Sequence, residues 1–482
     1  MAVLSIDQGT SGTKAIVVND DGDVVALAEV EVRPRYLEGG GVEQDPAELL
    51  ESVLAAGREA VARARAAGVR VDVVALANQG ETVLAWNPVT GEPLSQAIVW
   101  QDRRSEPICA EVAALGDAAE LLARRTGLVL DPYFSAPKMA WLRRHVTREG
   151  VVTTTDSWLV HRLTGEFVTD VTTASRSLLL DLDSRQWDPE LATLFGLGDE
   201  PLPRLVNCDE VVGTTSVFGA DLPVAGLVVD QQAALLAERC LVLGEAKCTY
   251  GTGAFLLANA GAAPARSSAG LTASVAWSTR EGAPYCLDGQ VYTAASAIRW
   301  ISELGLIGSA LELDSAASAD SDGVLFVPAL AGLAAPWWRP EARATLTGMT
   351  LSTDAGAIVR AVVEGITAQV AALASVFATD LGSPLTSLRV DGGLTSSRTL
   401  MQAQADLLQV PVEVFPSPHA TPLGAAALAQ MALDHTVALA DALPQWRPSA
   451  IFEPSWSADR AAEFMAGWLA AAELSAVPGG VS

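Results

Sequence analysis

An acidic residue closes an apolar run at Leu227-Val228-Val229-Asp230, and the same stretch, Gly226–Phe255, ends on a Gly/Thr turn, Tyr250-Gly251-Thr252-Gly253. A helical segment, Gln231–Arg239, and a strand lie between them. An acid at a strand end, next to a turn that can hold phosphate, is what a phosphoryl-transfer enzyme needs. The acid takes the proton from an incoming hydroxyl, and the turn holds the nucleotide's phosphates. Alone, such a stretch is only suggestive.

The same order opens the chain. Val3–Asp7 reads as a strand, Gln8–Thr13 as a turn and Lys14–Val18 as the return strand, and Asp20-Asp21-Gly22 leads into a third strand, Asp23–Val32. A helix then runs from Asp45-Pro46 to about Ala67, with Asp45 as cap and Pro46 at the first helical position. Val71–Ala77 is the next strand. Later, Ala246–Tyr250, Gly251-Thr252-Gly253 and Ala254–Ala258 repeat the strand–turn–strand order, and Asp288–Trp300 passes from strand to helix. Two such copies, roughly 240 residues apart, predict an internally duplicated α/β architecture.

Further on come a short strand, Gly323–Ala329, and a long helix, about Asp354–Thr379. Ser387–Gly393 is a strand and turn, Ser397–Leu408 a helix, and Pro422–Ala426 starts another. The tail, about Ala458–Ala472, reads as an amphipathic helix whose Phe464 and Trp468, four apart, pack inward.

A chain of 482 residues is too long for one core, so two or three domains are expected. Half of it is apolar, yet no stretch reads as a transmembrane helix and the start has no basic region before its apolar residues, so the expectation is a cytoplasmic, soluble protein with no membrane partner. The formal charge of −26 argues against nucleic acid, which requires Lys/Arg clusters. It also works against an anionic nucleotide, so any such site relies on backbone N–H groups, a few cations and Mg²⁺. Cys109, Cys208, Cys240, Cys248 and Cys286 are scattered without C-x-x-C spacing and read as buried thiols. His145, His161, His419 and His435 form no metal-ligand spacing.

Asp7-Gln8-Gly9-Thr10-Ser11-Gly12-Thr13-Lys14 is the first phosphate candidate. Its glycines let the backbone approach, its hydroxyls donate to phosphate oxygens, and Lys14 supplies charge. Asp7 suits Mg²⁺, held through water. Thr252-Gly253 is the second candidate, and Gly392-Gly393 before a helix the third. No G-x-x-x-x-G-K-[ST] occurs, which excludes a P-loop. Asn78-Gln79-Gly80-Glu81-Thr82 follows a strand and offers the amide and carboxylate groups that read polyol hydroxyls. Trp100-Gln101-Asp102-Arg103-Arg104 reads either as a sugar platform or as a salt-bridged turn.

Taken together, these motifs resemble the FGGY carbohydrate kinases, and among them the glycerol kinase branch. The resemblance runs nearly end to end, from LSIDQGTSGTKAIV through NQGETVLAW, AIVWQDRRS, TDVTTASRSLLLDL, DQQAALLA, TYGTGAF, GLAAPWWRPEARA and VDGGLTSSRTLMQAQADLL to the RPSAIFEPSW tail. Tyr133–Leu142 is similar to the family's first signature and Gly348–Glu364 to its second, with Ala357 where a polar residue is usual.

The resemblance implies two duplicated domains of the actin and sugar-kinase (ribonuclease H-like) type around a deep cleft, 1–240 for the sugar or polyol and 241–482 for ATP, with closure excluding water. It implies Asp230 as general base and Thr10, Ser11, Gly12 and Lys14 at the phosphates. Asp7 falls near Mg²⁺, and Thr252, Ala295, Arg299, Gly393 and Ser397 fall at the nucleotide. Gln79, Gly80, Glu81, Trp100, Tyr133, Asp230, Gln231 and Phe255 fall on the polyol site. A homodimer or homotetramer is the implied assembly, which no feature of the sequence decides.

Departures from the glycerol kinase pattern are informative. Gly80 replaces an arginine, and a hydrogen bond to a charged group is worth about 1.5–3 kcal/mol. Its loss weakens glycerol binding and opens space, which predicts a polyol or ketose of four or five carbons. Ala295 replaces a glycine, Arg299 a glutamine, Ser397 an asparagine and Lys14 an arginine. Two other readings stand beside a small-polyol kinase: a xylulose-type ketopentose kinase, against which DQQAALLA and PYFSAPK speak, and a non-catalytic actin-like nucleotide-binding regulator, against which Asp230 and the Gln79–Glu81 loop speak.

Overall fold

The computed structural model describes residues 1–475; positions 476–482, the end of the second expected domain, lie outside them. Strand β1 (Val3–Gln8) is buried along almost its whole length, as befits a strand covered on both faces. Antiparallel pairing extends it to β2 (Gly12–Val18) and β3 (Val24–Glu31). Helix α1 (Pro46–Ala66) follows, and Asp45 Oδ1 accepts from Ala47 N at 2.8 Å, satisfying a donor that the helix start leaves open. Strands β4 (Val73–Asn78), β5 (Gly213–Thr215) and β6 (Leu222–Val229) complete a six-stranded sheet of order β5-β6-β4-β1-β2-β3.

β4 runs parallel to both β1 and β6, with Asn78 opposite Gln8 on one side and Val229 on the other. Three strands therefore end together at one edge of the sheet. The segment between β4 and β5 carries helix α2 (Ser135–His145) and supplies Val83–Trp86, Ala97–Ile98 and Val151–Thr154 to a second, five-stranded sheet, whose other strands, Arg35–Tyr36 and Val42–Gln44, precede α1. From β6 the chain turns straight into α3 (Asp230–Ala237), so Asp230 is the first residue of that helix.

The second half opens with β7 (Ala246–Tyr250), β8 (Ala254–Gly261), β9 (Thr272–Val275) and β10 (Tyr285–Val291). Helices α4 (Ala295–Glu303) and α5 (Ala355–Leu381) come next, then β11 (Leu388–Asp391), α6 (Arg398–Leu408), β12 (Val412–Val414) and α7 (Ala420–Leu433). β13 (Ala450–Phe452) and α8 (Ala458–Ser475) finish it. The sheet order is β9-β10-β8-β7-β11-β12-β13. β7 is antiparallel to β8 and β8 to β10, while β7 is parallel to β11 and β11 to β12. This repeats the arrangement of β1, β2, β3, β4 and β6, with α5 in the place of α1. The expected duplication is present in the topology.

α3 and α7 share one apolar cluster that also takes in residues of β1, β4 and β6. Their backbones nearly touch: a Cβ on Gly424 would lie 2.0 Å from Ala233 O. Only glycine permits that approach. At Gly226, in the left-handed region with φ of 63°, β6 shifts register against β4, and a Cβ there would lie 2.5 Å from Ala425 O. Bulges of this kind re-aim the end of a strand, here the end that carries Asp230.

Several expectations shift in detail. Gln8 and Thr13 pair across β1 and β2, so the first turn is only Gly9–Ser11. The strand expected at Gly323–Ala329 shortens to Leu325–Val327. α5 is long and apolar enough to cross a membrane by length and composition, against the reading that no stretch is; most of it is buried in the core. Trp468 is buried, with Phe464 packed beside it, and all five cysteines are buried.

Candidate active site

The carboxyl ends of β1, β4 and β6 bring the Gly9–Ser11 turn, the Gly80-Glu81 loop and Asp230 to one edge, where open α/β sheets hold ligands. The second sheet does the same with the Gly251–Gly253 turn after β7 and Gly392-Gly393 after β11, since Thr249 and Asp391 are register partners. The two edges face one cleft. Thr10, Ser11, Gly80, Glu81 and Asp230 line it from the first half, and Thr249, Gly251, Thr252 and Phe255 from the second. Behind Asp230 lies an inner chamber walled by Glu81, Tyr133, Arg176, Val229, Gln231 and Asp288 among others.

Asp230 Oδ1 accepts from its neighbour's backbone, Gln231 N, at 2.7 Å. Burial raises its carboxyl to about 7 and the Asp7 charge adds to the rise, against the pull of Gln231 and Lys247. A carboxylate poised near 7 is suited to accept a proton at neutral pH. Lys247 Nζ donates to Gln231 Oε1 and to Thr249 Oγ1, each at 2.7 Å. It thus fixes the Gln231 amide with its NH₂ group left to donate.

Glu81 takes a positive φ of 61° and is buried; burial lifts its carboxyl to about 7, although Arg176 opposes the shift. Arg176 Nε donates to Glu81 Oε1 at 2.7 Å and its Nη1 to Asp288 Oδ1 at 2.6 Å, tying the two halves together at the chamber floor. Its Nη2 makes no hydrogen bond among the described residues. Trp100 meets Tyr133 and Phe255 edge to face, with centroids 5.5 and 6.0 Å apart, forming an apolar rim. Lys138, fully buried, donates to the carbonyls of Pro132, Tyr133 and Phe134 and holds the Tyr133 loop in place.

The structure separates some residues that the sequence groups together. Thr10 Oγ1 accepts from Trp100 Nε1 at 2.8 Å and donates to Gln79 Oε1 at 3.0 Å, so its hydroxyl works on the acceptor side of the turn. The Gln79 amide also bonds Gln44, Gln8 and Thr82, and its side chain lies outside both chamber and cleft walls. Ser397 Oγ donates to Asp314 Oδ1 at 2.6 Å and accepts from Leu400 N as the cap of α6. The Arg299 side chain is 70% exposed and lies 4.0 Å from Glu303. Ala295 N donates to Gly251 O, which docks the start of α4 on the second turn. Around Gly393 a Cβ would meet open space. Lys14 lies 3.3 Å from Glu29 and 3.4 Å from Pro418 O, and its charge lowers Asp7.

Gly80 departs from expectation. The direction its side chain would take is occupied by Val229, not open. The chamber also has a guanidinium, that of Arg176, which the motif reading did not assign. A charge set inside the run Ser-Arg-Ser-Leu-Leu-Leu was the available signal, because a buried charge demands partners.

Burial raises Asp7 to about 6, and Asp391 pushes it further while Lys14 pulls it back. Asp391 Oδ1 is buried without a hydrogen-bond partner among the described residues. Asp7, Asp230 and Asp391 leave this corner short of positive charge, with Lys14 and Lys247 nearby. No group of three or more metal-binding side chains occurs among the described residues. That donor set fits Mg²⁺, which takes one or two carboxylates and completes its shell with water and phosphate oxygens.

The family model for the N-terminal domain of the FGGY family of carbohydrate kinases matches residues 2–237, and that for the C-terminal domain matches 246–433. A glycerol kinase of Bordetella parapertussis is 41% identical, covering 98% of this chain and 97% of the relative. One of Leptothrix cholodnii is 42% identical, covering 97% of each. Among solved structures, Plasmodium falciparum glycerol kinase with ADP superposes with a TM-score of 0.90 at 31% identity, covering 98% of both chains.

Proposed function

The chain belongs to the FGGY family of carbohydrate kinases, phosphotransferases acting on an alcohol group, and from that premise we propose that it moves the γ-phosphoryl group of ATP to a terminal hydroxyl of a small polyol. The acceptor is glycerol, the substrate in its relatives' names, or a polyol of four or five carbons. One observation carries the reading. Two carboxyls, Glu81 and Asp230, stand where the acceptor chamber opens into a cleft bordered by both Gly/Thr turns, and Glu81 is paired with Arg176 while Asp230 has no ion-pair partner among the described residues.

In this account the acceptor lies in the inner chamber. Glu81, the Gln231 amide and Arg176 meet its hydroxyls, and the Trp100, Tyr133 and Phe255 rings cover its carbon face. Asp230 accepts the proton of the attacking hydroxyl as the oxygen closes on the γ-phosphorus. The N–H groups of Thr10–Gly12 with the Ser11 hydroxyl, and those of Thr252–Gly253 with the Thr252 hydroxyl, hold phosphate oxygens from opposite sides. Asp7 would hold Mg²⁺ through water, and Mg²⁺ there would spread the negative charge that grows on the phosphate oxygens. The aromatic rim and the Arg176–Asp288 bridge keep water from competing as acceptor.

ATP turnover against glycerol, erythritol, threitol, xylitol, arabinitol, ribitol, xylulose, ribulose and dihydroxyacetone tests this. Selective turnover of one or more polyols supports it. ATP binding with no turnover on any of them contradicts it and brings the non-catalytic regulator forward.

A further inference from the structure

Val229 is an aliphatic group in a chamber otherwise rich in polar ones, and it stands directly before the proposed base. Its backbone is pinned: Val229 N donates to Thr172 Oγ1 at 3.0 Å, and the residue is only 2% exposed. Branching at Cβ leaves it few rotamers, so this wall does not give easily.

Gly80 faces it across the cleft lining. Gly80 is not among the residues with positive φ, so its backbone suits any side chain and the constraint on it is space. A Cβ built there would come within 2.9 Å of Val229 Cγ2. Carbon atoms pack comfortably at about 3.5–4.0 Å, so the two side chains compete for one volume. Val229 has taken it.

We infer that Gly80 and Val229 are a specificity-determining pair, in which the Val229 methyl, admitted by the missing side chain at position 80, sets the length of the acceptor that fits beneath Asp230. The inference rests on the kinase reading above and changes its reasoning about size. Loss of a side chain at 80 does not by itself widen the chamber, because the methyl refills the room. Position 229 decides whether that room is open, and a Cβ at 80 drives the methyl further into the chamber.

The test is a double-mutant cycle with V229A, G80A and the two combined, read out in two ways. Thermal unfolding without ligand reports the contact. G80A alone lowers Tm, and in the V229A background the same change costs much less. Acceptor preference reports specificity, as the ratio of kcat/KM for a five-carbon polyol to that for glycerol. V229A raises this ratio by about tenfold or more, the size of effect that one or two methyl groups produce in an apolar pocket. G80A lowers it, and the double variant returns toward the parent.

Coupling in Tm with an unchanged acceptor ratio would overturn the specificity role while leaving the contact intact. Additive Tm changes would overturn the pairing itself. A parent protein that binds ATP yet phosphorylates no polyol would instead remove the kinase reading, a failure distinct from both.

Discussion

The two sheets end in the same way and present opposite chemistry. At the edge of the first, β1, β4 and β6 deliver Asp7, Glu81 and Asp230, and the segment between β4 and β5 adds Trp100 and Tyr133. At the edge of the second, β7 and β11 deliver Thr249, the Gly251–Gly253 turn, Asp391 and Gly392-Gly393, and β8 adds the Phe255 ring, but among the described residues no carboxyl of this half lines both chamber and cleft as Asp230 does. Duplicated topology thus sets where residues stand, and divergence at the strand ends sets what they do. An acidic, ring-lined edge suits an acceptor rich in hydroxyls. An edge of glycines and hydroxyls suits phosphates. Lys247 and Arg176 join the edges: one reaches from β7 to Gln231, the other from the first half to Asp288 on β10.

If Asp230 is the feature that one edge has and the other lacks, D230N should break the comparison most severely. Removing a positioned general base lowers kcat by about 10²–10⁴, with both KM values within a few-fold of the parent. Steady-state kinetics with each substrate varied is the check, and a kcat near that of the parent would remove the assignment.

Stability moves the other way. The folded carboxyl is raised to about 7, so from about 4 upward the unfolded chain ionises while the folded one holds its proton, and stability falls as pH rises through that window. D230N escapes this. Its Tm should exceed the parent's above pH 7, and the gain should disappear toward pH 4.

R176M attacks the joint between the halves. It leaves Glu81 and Asp288 buried and unpaired, a change that costs about 3–5 kcal/mol in chemical unfolding. A cost below about 1 kcal/mol would mean that the bridge is not holding the chamber floor.

T252V separates the two edges. It removes a hydroxyl from the second turn and should raise the KM for ATP by up to about tenfold, the worth of one hydrogen bond, without moving the acceptor KM. Trp100→Ala should do the reverse. Were both variants to shift both constants equally, the division of labour would be wrong.

The smallest effect belongs to S397A. Its hydroxyl caps α6 and bonds Asp314, so the change should cost about 1 kcal/mol of stability and leave the KM for ATP unchanged. A selective rise in that KM would return Ser397 to the nucleotide site, where the motif pattern had put it.

What was legible in the sequence was local. The Gly/Thr turns, the acid closing an apolar run and the Asp45-Pro46 helix start each declare themselves within a few residues. Their arrival at one cleft followed from the repeat of strand and turn. Three kinds of feature were hidden. Arg176 and Val229 reach the chamber through topology: Arg176 is 95 positions from the Glu81 it pairs with, and no spacing rule links them. Gln79, Thr10 and Ser397 carry suitable groups, yet their hydrogen bonds are spent on the protein, which only a partner-by-partner count discloses. The apolar length of α5 has the composition of a membrane span, and only its packing identifies it as a core helix.

The pH dependence of the rate at subsaturating ATP and acceptor, for the parent and for the residual activity of D230N, tests the central claim most directly. The parent rate should fall about tenfold per unit as pH drops below about 7, because a protonated Asp230 cannot take the hydroxyl's proton. In D230N that limb should flatten. An unchanged limb in D230N, or a parent rate level down to about pH 5, would contradict the assignment of Asp230 as the base on which the two edges converge.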